Sequence, residues 1–145
     1  MYNTIIFYRW GVSRFQAQRD YLSQLFAKFN NNNDKYYPIF IVDDLNAFLS
    51  EYFIIEMLSK FRQFSILDYK QNFSGEISKE SLEELVSINK ITIKRGVVVG
   101  RFLSDFSVFN NKNNFHFLLC DSDVNMTKSE GRVINNLSEL PIFEN

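Results

Sequence analysis

The stretch Tyr37-Pro38-Ile39-Phe40-Ile41-Val42-Asp43-Asp44-Leu45-Asn46-Ala47-Phe48-Leu49 decides how this chain folds. Its first six residues are uncharged and mostly β-branched or aromatic, as suits a strand covered on both faces. Asp43 and Asp44 stand directly before a helically spaced apolar series, a position where an acid serves as an N-cap. Tyr36 to Phe64 thus reads as a buried strand feeding a helix. That helix carries Leu45, Phe48, Leu49, Tyr52 and Phe53 on one face, after which Ile54, Met57, Leu58, Phe61 and Phe64 rotate to the other side. Two faces cannot both meet one sheet. Either the helix kinks near Phe53 to Glu56, or it lies between the sheet and something else, a further part of the chain or a partner.

On the N-terminal side, Thr4 to Tyr8 is a short apolar run closed by Arg9-Trp10-Gly11 and reads as a first strand. Ser13 is placed to cap a helix whose stripe is Phe15, Leu22, Leu25, Phe26 and Phe29, ended by the polar tract Asn30 to Asp34. On the C-terminal side, Ser65 to Tyr69 suits a third strand and Lys70 to Gly75 a loop. Ser78 suits the cap of a helix with Leu82, Leu85 and Val86 inward. Ile91 and Ile93 alternate with polar residues ahead of Gly96-Val97-Val98-Val99-Gly100, which predicts a long strand with a bulge or bend at Gly96. Ser104 to Phe109 fits a strand or a helical face. As a strand it would form an antiparallel hairpin with Phe115 to Cys120 across Asn110 to Asn114. Val133, Ile134, Leu137 and Leu140 have helical spacing within Ser129 to Leu140. The expectation is one α/β domain over residues 1–145, a mixed, mainly parallel sheet of about five to six strands with helices packed on it and a C-terminal antiparallel hairpin.

Composition narrows the function classes. A chain of 145 residues buries a core without staples, and its lone cysteine, Cys120, rules out an intrachain disulfide scaffold and points to a reducing compartment. Lying in the apolar run from Phe115, Cys120 reads as a small core residue, since no neighbour in sequence would activate its thiol. No apolar run approaches the ~18 residues of a membrane span, and no basic region precedes the first apolar residues, so the chain reads as cytoplasmic. Sixteen basic against 17 acidic residues give a net charge of -1, without the footprint of a nucleic-acid binder. The 16 Phe residues and many Asn, with only 5 Gly and 2 Pro, fit a biased codon usage and carry no functional message.

Catalytic sets are sparse. The one histidine, His116, sits between Phe115 and Phe117 in an apolar strand, and Gly96 and Gly100 bracket valines where a phosphate-cradling loop would need a strand-to-helix turn. No cofactor motif is read. Asp43 and Asp44 end one strand and Asp121 and Asp123 follow another, so with aligned ends Asp43, Asp44 and Asp121 would converge on a Mg²⁺ ion. Asp68-Tyr69-Lys70 adds the acid-x-Lys pair of metal-dependent nucleases. The bland alternative is that these acids cap helices and turns.

Two function classes remain. One is a non-catalytic binding module that occludes a basic protein partner, such as a toxin or enzyme domain, through acidic surfaces at Glu80, Glu83, Glu84, Asp121 and Asp123. In general character, one domain with no catalytic set, it resembles the small cytoplasmic immunity proteins that inhibit toxins of bacterial competition systems, without a shared motif. The other is a Mg²⁺-dependent hydrolase or nuclease built on Asp43, Asp44, Asp68 and Asp121.

Overall fold

Among the described residues every strand runs in the same direction. The computed structural model describes residues 3–31, 36–75, 77–86, 93–109, 115–120 and 133–140. Strands β1 (Thr4–Tyr8), β2 (Tyr37–Val42), β3 (Ser65–Asp68), β4 (Gly96–Gly100), β5 (Phe115–Cys120) and β6 (Val133–Ile134) form one sheet in the order β3-β2-β1-β4-β5-β6, with every pairing parallel. β1 is central, with Ile6 opposite Ile39 on one side and Val98 on the other.

The uninterrupted apolar runs follow from burial on both faces. Ile5, Phe7, Phe40, Val42, Val97 and Val99 point into one core, and Ile6, Tyr8, Ile39, Ile41 and Val98 into the other. Among the described residues six α-helices accompany the sheet: α1 (Val12–Ala17), α2 (Arg19–Asn31), α3 (Leu45–Leu49), α4 (Tyr52–Ser59), α5 (Tyr69–Asn72) and α6 (Lys79–Leu85). α1 to α4 place Phe15, Leu22, Leu25, Phe48, Ile54 and Met57 in the first core, while α6 places Leu82 in the second. The crossovers from β1 and β2 therefore cover one face, and the α6 crossover into β4 covers the other. This is the strand order of doubly wound sheets, in which the connections diverge at the boundary between β1 and β4.

The expected C-terminal antiparallel hairpin is not formed. β5 pairs with β4 in parallel register, Gly96 opposite Phe115 and Gly100 opposite Leu119. Parallel neighbours need a crossover of about a dozen residues or more, and the segment after Gly100 supplies it. Within it Leu103–Ser107 is a 3-10 turn and Phe109 is buried, so the ambiguous Ser104 to Phe109 segment is connection and not strand. The helix expected over Ser129 to Leu140 is replaced, among its described residues, by β6 and the 3-10 turn Leu137–Glu139.

The helix after Asp44 breaks earlier than the pattern suggests, at Ser50-Glu51. The Ser50 hydroxyl donates to the Ala47 carbonyl at 2.7 Å, and Glu51 takes an extended conformation (φ -84°, ψ 122°) that starts α4 afresh. Breaking there lets Phe48 and Ile54 both reach the core. Similarly, α1 starts from Gly11 with no side-chain cap instead of from Ser13, and a short break separates it from α2. Ser78 does cap α6, in a reciprocal pair with Ser81. Lys70 to Asn72, read as loop, belongs to the short α5. The bend lies at Lys94-Arg95, just ahead of β4.

The glycines of β4 have a packing role. A β-carbon at Gly96 would stand 2.7 Å from the Phe115 ring, and one at Gly100 would meet the Phe117 ring. Their absence lets two aromatic rings of β5 lie across β4. Gly100→Ala is therefore expected to lower stability by ~1–3 kcal/mol through overpacking, read as a lower urea midpoint at unchanged slope.

Candidate functional site

Parallel strands all end at one edge, and the ends of β1, β2 and β4 line an open cleft of about 240 Å³. Its walls include Arg9, Trp10, Val42, Asp43, Asp44, Phe48, Glu51 and Arg101. Open α/β sheets bind ligands at such an edge, where the crossovers diverge.

Arg9 follows β1 with φ of 59°, in the left-handed region that costs a non-glycine residue of order 1–3 kcal/mol. Three contacts hold it there. Its amide donates to the Ile41 carbonyl at 2.7 Å, its guanidinium lies 4.1 Å from the centre of the Tyr69 ring, and its Nε donates to Asp43 Oδ1 at 2.5 Å. Partial burial works against the Arg9 charge, and the Asp43 carboxylate, together with the Tyr8 phenol, more than offsets it, so the guanidinium pKa is raised further. Arg101 follows β4 and donates from Nη1 to Asp43 Oδ2 at 3.3 Å, with its guanidinium 4.7 Å from the Phe102 ring centre. One carboxylate is thus shared by two arginines on separate strands. Each arginine side chain is 25% exposed and Asp43 39%, so water screens the triad, which does more to place groups than to stabilise the fold.

The turn after β4 is fixed by Asp105, a buried acid whose Oδ2 accepts from the backbone amides of Arg101 at 3.1 Å and Phe102 at 2.9 Å. Arg101 Nε is buried and has no hydrogen-bond partner among the described residues. Trp10 fills the turn between β1 and α1, its indole N–H donating to the Gly100 carbonyl at 3.4 Å. That turn holds a single glycine, Gly11, and lacks the glycine-rich cradle of dinucleotide sites.

The acids expected at a metal site divide into separate roles. Asp43 is held by arginines. Asp44 caps α3 by accepting from Ala47 N at 3.0 Å, and Asp68 caps α5 by accepting from Gln71 N at 3.0 Å. Asp121 and Asp123 lie outside the described residues. Among the described residues no three His, Cys, Asp or Glu side chains come together to hold a metal ion. Lys70 is in α5. Of the α6 acids, Glu83 pairs with Lys79 at 3.4 Å, and Glu80 and Glu84 are exposed. His116 is half-buried in β5 and Cys120 is buried at its end, its carbonyl accepting from Arg14 at 2.6 Å.

Arg9 and Arg101 are the site residues that sequence reading passes over. The available signal was an arginine directly after each of two apolar strands, which matters only once β1 and β4 are known to be adjacent. A second overlooked feature is on the outer side of the cavity wall. Leu49 is 38%, Tyr52 77% and Ile55 52% exposed, three of the four large hydrophobic side chains exposed among the described residues. They occupy α3 and α4.

Beside the site, the Tyr8 hydroxyl is buried without a hydrogen-bond partner among the described residues. Burial, and then the neighbouring Tyr69 phenol, push its pKa well above the ordinary 10.0. A proton held more tightly in the folded state stabilises fully below the unfolded value, and that stability is lost as pH rises through and beyond it. Tyr8→Phe should therefore match the parent near neutral pH and lose less stability above pH ~10, the gap widening by up to ~1.4 kcal/mol per pH unit in urea unfolding.

Among the described residues, no helix is long and apolar enough to cross a membrane. No known family model, curated protein or solved structure matches the chain.

Proposed function

We propose that this protein is a non-catalytic protein-binding module that covers a basic, partly apolar surface of its partner, in the manner of a small cytoplasmic immunity or inhibitor protein. The observation that carries this reading is the outer face of α3 and α4. Tyr52, Ile55 and Glu56 are spaced three and four residues apart, so they share one side of α4, while Ile54, Met57 and Leu58 are buried on the other. Residues 43–59 contain four acids and no lysine or arginine. Exposed aromatic and aliphatic anchors set among charges of one sign favour a partner of opposite charge.

This face is a better candidate than the α6 acids, which have no exposed large hydrophobic side chain beside them among the described residues. The two surfaces cannot serve one contact, because α4 and α6 pack on opposite sides of the sheet. The metal-enzyme alternative is less well supported, since Asp43, Asp44 and Asp68 already accept hydrogen bonds from other parts of the chain.

The test is pairwise co-expression with the products of adjacent reading frames. A stoichiometric complex with a basic protein is expected, associating more slowly as ionic strength rises. Tyr52→Ala and Ile55→Lys should each weaken it by about tenfold or more, while charge reversal at Glu80, Glu83 and Glu84 leaves the dissociation rate unchanged. The absence of any complex, or a complex indifferent to both α4 substitutions, overturns the reading.

A further inference from the structure

The outer stripe of α4 is exposed along its whole length. Tyr52, Ile55, Glu56 and Ser59 recur at intervals of three and four residues and face away from the core that holds Ile54, Met57 and Leu58. Exposed Glu51 stands at the N-cap of the helix and exposed Lys60 at its C-cap. Along one side runs a groove of about 230 Å³ between α2 and α4, with Phe26, Phe53 and Met57 among its apolar walls and Arg19, Glu56 and Lys60 at its rim. Lys60 Nζ lies 5.6 Å from the centre of the Phe26 ring, which keeps its charge beside the groove.

The two ends of the stripe are opposites. The first turn presents Tyr52, large and 77% exposed, next to the acid Glu51, whereas the last turn presents Ser59, small, next to the base Lys60. A surface whose ends differ in both size and charge matches itself when turned by a two-fold axis, because such a contact sets each residue against its complement twice. The Lys60 end is also the part of this face that a basic partner does not explain. The groove is smaller than the ~300–1,000 Å³ typical of drug-sized ligands, and suits a single protruding side chain.

We propose that two copies of this chain associate through α4 in a two-fold, antiparallel contact centred between Ile55 and Glu56. In that register Tyr52 of one copy lies over Ser59 of the other, and its ring reaches the groove beside Lys60. Ile55 packs on the aliphatic stem of Glu56 of the second copy, and Glu51 pairs with Lys60. The two-fold axis repeats every one of these contacts. Since α4 has eight residues, the seam is only ~12 Å long. A contact of that size gives a transient dimer, with a dissociation constant on the order of micromolar. The dimer does not depend on the partner reading. It covers Tyr52 and Ile55, so a partner using that face has to displace the second copy, a consequence that does rest on that reading.

The test is sedimentation velocity on the purified full chain from about 1 µM to about 1 mM, where the mass should rise from 17.2 kDa toward twice that value. Glu51→Lys and Lys60→Glu each set like charges opposite one another twice, and each should raise the dissociation constant by about tenfold or more. Mixed in equal amounts, the two variants should form a heterodimer at least as tight as the parent dimer, because every reversed charge then faces its opposite. Glu51 makes no side-chain cap and both positions are exposed, so circular dichroism should show the parent fold in each. Ser59→Trp, also exposed, should block the seam and keeps the proposal falsifiable if a charge reversal does not fold. Lys60→Glu should not weaken binding of a basic partner, which separates failure of the dimer from failure of the partner reading. A chain that stays monomeric at the highest concentration, folded single variants that dimerise like the parent, or a mixture that stays monomeric overturns the proposal.

Discussion

Parallel pairing governs this molecule. Because every strand among the described residues runs the same way, each must be followed by a connection that returns the chain to the opposite edge, and those connections bury both faces of the sheet. The same constraint gathers all strand C-termini on one edge. Residues far apart in the chain, Arg9, Asp43 and Arg101, become neighbours because they are the first residues beyond β1, β2 and β4. The turn that Asp105 fixes after Gly100 is thus part of what aims Arg101 at the crevice.

Two arginines from separate strands share one carboxylate, which accepts from both. The nearby acids Asp44 and Glu51 stand at the N-caps of α3 and α4, with Asp44 engaged as a side-chain cap. Arg9 holds its place in this group from a left-handed backbone conformation. A glycine would take that backbone conformation without strain, but it would supply neither the guanidinium on Asp43 nor the stack on Tyr69.

The break at Ser50-Glu51 connects this crevice to the outer surface. An unbroken helix from Leu45 would carry its apolar stripe away from the sheet after about two turns, because the second set of apolar residues sits on the other side. Restarting the helix resets its phase, so that Ile54, Met57 and Leu58 return to the core. Tyr52 and Ile55 are then left outside, and no helix of the described residues covers them. Burying the second stripe and exposing these two residues are one geometric event.

How much of this was legible in the sequence depended on the range of the interaction. Strands Thr4–Tyr8 and Tyr37–Val42 and the Ser78 cap are set by residues within a few positions, and local patterning identified them. A hairpin of Ser104 to Phe109 with Phe115 to Cys120 is expected because a polar five-residue stretch is a hairpin signal locally, whereas β5 pairs with β4 in parallel. What overrode it is the burial of Phe109 and the seating of the Phe115 and Phe117 rings on Gly96 and Gly100, which no window contains. Asp43 shows the same limit most sharply. Asp43 and Asp44 are chemically identical and adjacent, and helix-cap reasoning applies equally to both. The alternation of side chains at a strand end sends one back onto the helix as a cap and the other toward the neighbouring strands, where arginines 34 residues before it and 58 after it meet its two oxygens. The strand order determines the role of Asp43, and no local sequence rule contains the strand order.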